Sequence, residues 1–268
     1  MIGFQPVIPT SGLVGWKFLE RTYEAQNNAF QQSTEITRDT DYFEAKIGEI
    51  DTAEELVADR RLLRVALGAF GLGADIDSKF YVKKILEEGT LTDDALANRL
   101  ADDRYKEFSA AFGFGNYDTP STKISDFGAK ITAQYRVQQF EVAVGDQDEN
   151  MRLALYAERE LAKVAEGTES NDTKWFKIMG TPPLRSVFET ALGLPASFGQ
   201  LDIDLQLSTF KDYAQKQFGT KDVSDFSDPE MQEKLIQKFL VRGQLAEFEA
   251  TTSGSIALTL LQNSVVSY

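Results

Sequence analysis

Thr52-Ala53-Glu54-Glu55 opens the stretch that decides the fold. It has the form of a capping box, and Leu56, Leu62, Leu63 and Leu67 follow at helical spacing until Gly71-Leu72-Gly73 ends the element. A Thr side chain that accepts from the third helical amide, with the Glu there reaching back, satisfies donors that every helix start otherwise leaves bare. One apolar face between two such end signals predicts a single amphipathic helix from Thr52 to the glycines.

Working outward, apolar residues recur three and four apart nearly everywhere, and period-two alternation flanked by hairpin turns is hardly found. The fold class expected is all-α. Thr10 or Ser11 can cap a first helix on which Trp16, Tyr23 and Phe30 fall seven apart with Leu19 between them, a narrow stripe suited to one partner helix. Helices are expected at about 76–87, 93–100 and 104–112, each followed by a break or a glycine, then a long one from Phe127 to Val144 and another after Asp146-Gln147-Asp148-Glu149. The last two form an expected αα-hairpin. Residues 167–173 are polar and loop-like. Thr181-Pro182 and Ser227-Asp228-Pro229 place proline at a first helical position. Thr251-Thr252-Ser253-Gly254-Ser255 is expected to interrupt the chain before an apolar tail.

A shift of 122 residues pairs Leu62 with Leu184, Val65 with Val187, Ala69 with Ala191, Gly71 with Gly193 and Leu72 with Leu194. The organisation expected is an N-terminal helical extension (1–49), a helical module (50–115), a central helical hairpin (116–171), a second, related module (172–250) and an apolar C-terminal tail (251–268).

Composition narrows the chemistry. The 268 residues include neither His nor Cys, so Cys/His zinc sites, thiol chemistry and His-based nucleophilic triads are excluded. With 28 Lys and Arg against 42 Asp and Glu, the net charge is −14. Acidity is even, with 15 basic and 22 acidic residues in 1–134 and 13 and 20 in 135–268. Such a field repels phosphate backbones and anionic lipid, so no nucleic-acid partner is expected; Arg60-Arg61 with Arg64 is the densest basic group. The opening residues lack the basic and uninterrupted apolar regions of a secretory signal, and no apolar run reaches membrane-span length. The default expectation is therefore a cytoplasmic chain with no membrane insertion.

The remaining candidates each have a functional and a structural reading. Asp75/Asp77 and Asp202/Asp204 are pairs able to hold Mg²⁺ in a carboxylate-dependent hydrolase, but each precedes or opens an expected helix, where carboxylates serve as caps. Asn98 to Tyr105 is an anion or peptide site built on Arg99 and Arg104, or a junction in which Arg99 pairs with Asp102 or Asp103 and Tyr105 packs inward. The glycines of 68–73 follow a helix and lack the Lys-Ser/Thr of a phosphate loop. The termini carry the residues expected to bind a partner: Trp16, Leu19, Tyr23 and Phe30, with Ile256, Leu260 and Leu261. They either pack on their own molecule or wait for copies or partners.

The run Arg61-Leu62-Leu63-Arg64-Val65-Ala66-Leu67-Gly68-Ala69-Phe70-Gly71-Leu72, with Ile76-Asp77-Ser78-Lys79, Asn98 to Tyr105, Arg152 to Tyr156 and Asp202-Ile203-Asp204, resembles the alphaproteobacterial DUF1217 family, whose members tend to be encoded among flagellar genes. The resemblance supplies no catalytic or binding residues. It implies a non-enzymatic, flagellum-associated structural or assembly protein with flagellar components or its own copies as partners. A cytoplasmic chaperone or regulator of flagellar export is the alternative. Axial flagellar subunits, exported without a cleaved signal, often lack Cys and polymerise through terminal helices. No cofactor is expected.

Overall fold

A computed structural model describes residues 4–264, with side chains described through residue 248 apart from 196 and 247. Among the described residues the regular structure is helical throughout, with no strand: α1 (Gly12–Gln31), α2 (Thr34–Lys46), α3 (Ala53–Ala58), α4 (Arg60–Ala69), α5 (Lys79–Glu88), α6 (Leu96–Arg99), α7 (Asp103–Phe112), α8 (Phe127–Gly145), α9 (Glu149–Glu166), α10 (Asn171–Gly180), α11 (Pro182–Leu192), α12 (Ile203–Phe218) and α13 (Pro229–Ser264), joined in places by short 3-10 turns.

The chain divides into two compact units. One comprises residues 1–7, 19–147 and 179–182, the other 8–18, 148–178 and 183–268. The turn after Gly145, expected to close a free-standing hairpin, is where the chain leaves the first unit, so α8 lies in the first and α9 in the second.

In the first unit α4 packs along α8, with α2 beside both. Gly68 permits that approach, because a Cβ there would stand 2.7 Å from the Tyr135 ring. Phe70, Phe108, Phe112 and Phe127 form a chain of tilted and edge-to-face rings at its centre. In the second unit Trp175 meets Phe188 and Phe210, Phe226 meets Phe188 and Phe218, and the Trp175 indole donates to the Lys221 carbonyl at 2.9 Å.

Two element boundaries differ from expectation. The capping box is present, with Thr52 Oγ1 accepting from the Glu55 amide at 3.2 Å and Glu55 reaching back to the Thr52 amide. The helix it starts ends at Ala58, however, and a second one begins at Arg60. Asp59 is extended between them; its carboxylate accepts from the amides of Arg61 and Leu62 and from the Tyr42 hydroxyl. A side chain that satisfies three donors at once outweighs the continuity of one helix. At the other end α13 is uninterrupted through residues 251–255. Ser and Thr are tolerable helix residues and one Gly costs only about 1 kcal/mol relative to Ala, so without a proline nothing forces a break.

Candidate functional site

The aromatic stripe of α1 is largely core. Trp16 and Leu19 are fully buried and Phe30 nearly so, while Tyr23 is half-buried. In the first unit Tyr23 and Phe30 both meet Phe140 of α8, at 5.4 and 5.7 Å between ring centroids. Trp16 belongs to the second unit, and its indole N–H has no acceptor among the described residues, an arrangement that costs about 1–3 kcal/mol. Ile256, Leu260 and Leu261 fall on α13, but their side chains lie outside the described residues.

The acidic pairs do not converge on a common centre. Asp75 accepts from the Tyr105 hydroxyl at 2.7 Å, and Asp77 from Arg60 at 2.5 Å. Asp202 caps α12 through the Asp204 amide at 2.9 Å, as expected of a helix start, whereas the cap position of α5 is Ser78 and neither Asp75 nor Asp77 serves there. Asp148 likewise caps α9. Among the described residues no three acids gather closely enough to hold a metal ion.

The junction at 98–105 is tied by a different arginine from the one expected. Arg104, not Arg99, grips Asp102 through Nε and Nη2 and donates from Nη1 to the Gly71 carbonyl at 2.7 Å. Gly71 needs its left-handed conformation (φ 68°) to close α4, where the Leu72 amide returns to the Leu67 carbonyl. Arg99 is exposed. Burial, then the Asp75 hydrogen bond, push the Tyr105 hydroxyl well above the usual phenol range. A hydroxyl locked in its neutral form and donating to a carboxylate is a structural tie, not a proton shuttle.

What lies open is elsewhere. Along α13, Val241, Leu245 and Phe248 are 41%, 56% and 70% exposed, at i, i+4 and i+7 on one side of the helix. That stripe went unremarked in the sequence because Val241 and Leu245 continue the apolar periodicity of Ile236, Phe239 and Leu240, all buried. No helix of the described residues is long and apolar enough to cross a membrane.

Fold and site together describe an all-α protein in which the conspicuous acids are committed to caps and side-chain pairs. This chain belongs to the DUF1217 family, described as proteins of unknown function, whose family model matches residues 69–231. A crystal structure of a protein from Agrobacterium tumefaciens is similar in fold, with a TM-score of 0.71 and 24% identity over 90% of this chain and 99% of that one. No curated protein matches the chain.

Proposed function

We propose that this protein is a non-enzymatic, flagellum-associated structural or assembly protein that works by protein–protein contact, with the distal half of α13 as its principal docking element. The observation that carries this reading is the exposed apolar stripe Val241, Leu245 and Phe248, on a helix whose backbone continues to Ser264. The sequence beyond it, with Ile256, Leu258, Leu260 and Leu261, stays apolar. Exposed apolar helix faces are common docking surfaces. The flagellar setting is supported by the family resemblance, and the absence of His and Cys from the sequence removes the commonest catalytic side chains.

The test is fractionation of cells carrying either the whole chain or a chain lacking residues 254–268, coupled to a motility assay. The whole chain is expected with purified basal bodies or in the culture medium, and the shortened one is expected to lose that association while keeping its helical content. Recovery of the whole chain in the cell body alone, with normal motility in a deletion strain, overturns the reading; recovery there with motility lost favours the export chaperone.

A further inference from the structure

The densest basic group of the sequence, Arg60-Arg61 with Arg64, acquires a fourth arginine and a buried acid in the fold. Helices α2 and α4 lie side by side in the first unit and bring Arg38, Arg61 and Arg64 around Asp39, whose side chain is 1% exposed. Arg64 Nη1 donates to Asp39 Oδ2 at 3.1 Å. Asp39 Oδ1 stands 3.7 Å from Arg61 Nη2 and 4.0 Å from Arg38 Nε, and accepts no hydrogen bond. Arg61 is held from two further sides: its guanidinium lies 3.9 Å from the Tyr42 ring centre, and Nη2 donates to the Arg38 carbonyl at 3.1 Å.

Three guanidinium groups thus share one carboxylate, and the surplus charge faces outward. The side chains of Arg38, Arg61 and Arg64 are 68%, 39% and 44% exposed. Each guanidinium carries several N–H donors in a fixed plane, and Arg38 uses none of them in a hydrogen bond among the described residues. Nearby acids do not neutralise the group. Asp59 is engaged by Tyr42 and the start of α4, Asp77 by Arg60, and Glu35, one turn before Asp39, is exposed and bonded to none of the three arginines.

From this geometry we infer that Arg38, Arg61 and Arg64 form a binding site for carboxylates of an acidic peptide segment on a partner protein. Planar guanidinium groups match carboxylates in paired hydrogen bonds, and two of the three are already fixed by Asp39 and Tyr42, so little ordering remains to be done on binding. The occupant is a short protein segment rather than an extended polyanion. The chain is acidic in both halves, and a nucleic acid or anionic bilayer running past this cluster would meet repulsive surface within the Debye length, about 8 Å at physiological salt. The site shares no residue with the α13 stripe, so the two readings stand or fall separately.

Anisotropy of a rhodamine-labelled hexaglutamate peptide, titrated with the whole protein at low salt, tests the site. Saturable binding is expected. It should weaken at least about tenfold in Arg38→Glu, tighten in Glu35→Gln and be unchanged in Arg99→Gln. Arg38 is the position to change because it is the most exposed of the three and removing Arg64 would strand the buried Asp39; circular dichroism of Arg38→Glu should match the wild type. Absence of saturable binding, or equal binding by Arg38→Glu, overturns the proposal. So does displacement of the peptide by inorganic phosphate as readily as by unlabelled hexaglutamate, or capture of the protein by phosphatidylglycerol vesicles in an Arg38-dependent way.

Discussion

Replacing Arg104 by Met keeps most of the side-chain volume and removes the charge that ties α7 to the end of α4. Two contacts are lost: the fork onto Asp102, with bonds of 2.7–3.2 Å, and the 2.7 Å bond to the Gly71 carbonyl. Both partners of the ion pair are only 18% exposed, so screening is incomplete. Hydrogen bonds to charged groups contribute about 1.5–3 kcal/mol each, and a pair acting as one unit is less than additive. The expected loss is therefore about 2–4 kcal/mol, or a fall in Tm of roughly 5–15 °C at the 2–4 °C per kcal/mol typical of domains of 150–250 residues. Arg104→Lys should recover only part of it, because an ammonium cannot serve Asp102 and Gly71 together. Far-UV circular dichroism during thermal and urea unfolding is the right probe, since both tryptophans, Trp16 and Trp175, lie in the other unit. A Met variant within about 0.5 kcal/mol of the wild type, the usual range for inconsequential surface changes, would refute the claim that this arginine holds the junction.

Gly68→Ala gains about 1 kcal/mol of helix propensity but forces a methyl to 2.7 Å from the buried Tyr135 ring, an overpacking cost of about 1–3 kcal/mol, so urea midpoints should fall; Gly73→Ala, with nothing within 4 Å, should gain about 0.4–1 kcal/mol. Burial pushes the Asp59 carboxyl up, but hydrogen bonds from Tyr42, Leu62 and Arg61 and the Arg61 charge outweigh it and leave the group below its ordinary value. Its contribution is then present above the unfolded value of about 4 and is lost as pH falls below it, so Asp59→Asn should flatten the acid limb of a Tm–pH profile. Tyr105 is shifted the other way, and its contribution is lost as pH rises above about 10; Tyr105→Phe should flatten the alkaline limb.

Much of the architecture was legible because it is written in local signals. The Thr52–Glu55 box, the proline at the start of α11, the Asp228-Pro229 start of α13 and the glycine ends of α4 and α7 are all read from a few adjacent residues. Gly71 and Gly193, paired by the 122-residue shift, both adopt left-handed conformations and both lie against an arginine, Arg104 and Arg242 respectively. What escaped depends on partners far away in the chain. Asp59 interrupts a helix because Tyr42 reaches it from α2. Asp75 and Asp77 look like ligands or caps until Tyr105 and Arg60 arrive from other helices. The arginine cluster was visible only as Arg60, Arg61 and Arg64, since the acid that organises it comes from residue 39.

The burial of α1 bears on how any partner is met. Fully burying a large apolar side chain contributes about 1.5–3 kcal/mol, so exposing Trp16, Leu19 and Phe30 together would cost roughly 5–9 kcal/mol, less the small relief of hydrating the Trp16 indole N–H. That is comparable with the entire stability of an ordinary domain, about 5–15 kcal/mol. A partner that had to extract the stripe would spend about 4–7 powers of ten in affinity before any net binding was observed. Val241, Leu245 and Phe248 carry no such penalty, because their surface already faces water to the extent of 41–70%. Val241→Ser with Leu245→Ser should therefore abolish association with a genuine docking partner at little cost to Tm, whereas Leu19→Ser should lower Tm by several degrees and affect association only through that loss. Partner capture by the double variant equal to wild type, measured at a temperature where all three proteins are folded, would leave the α13 stripe without a role.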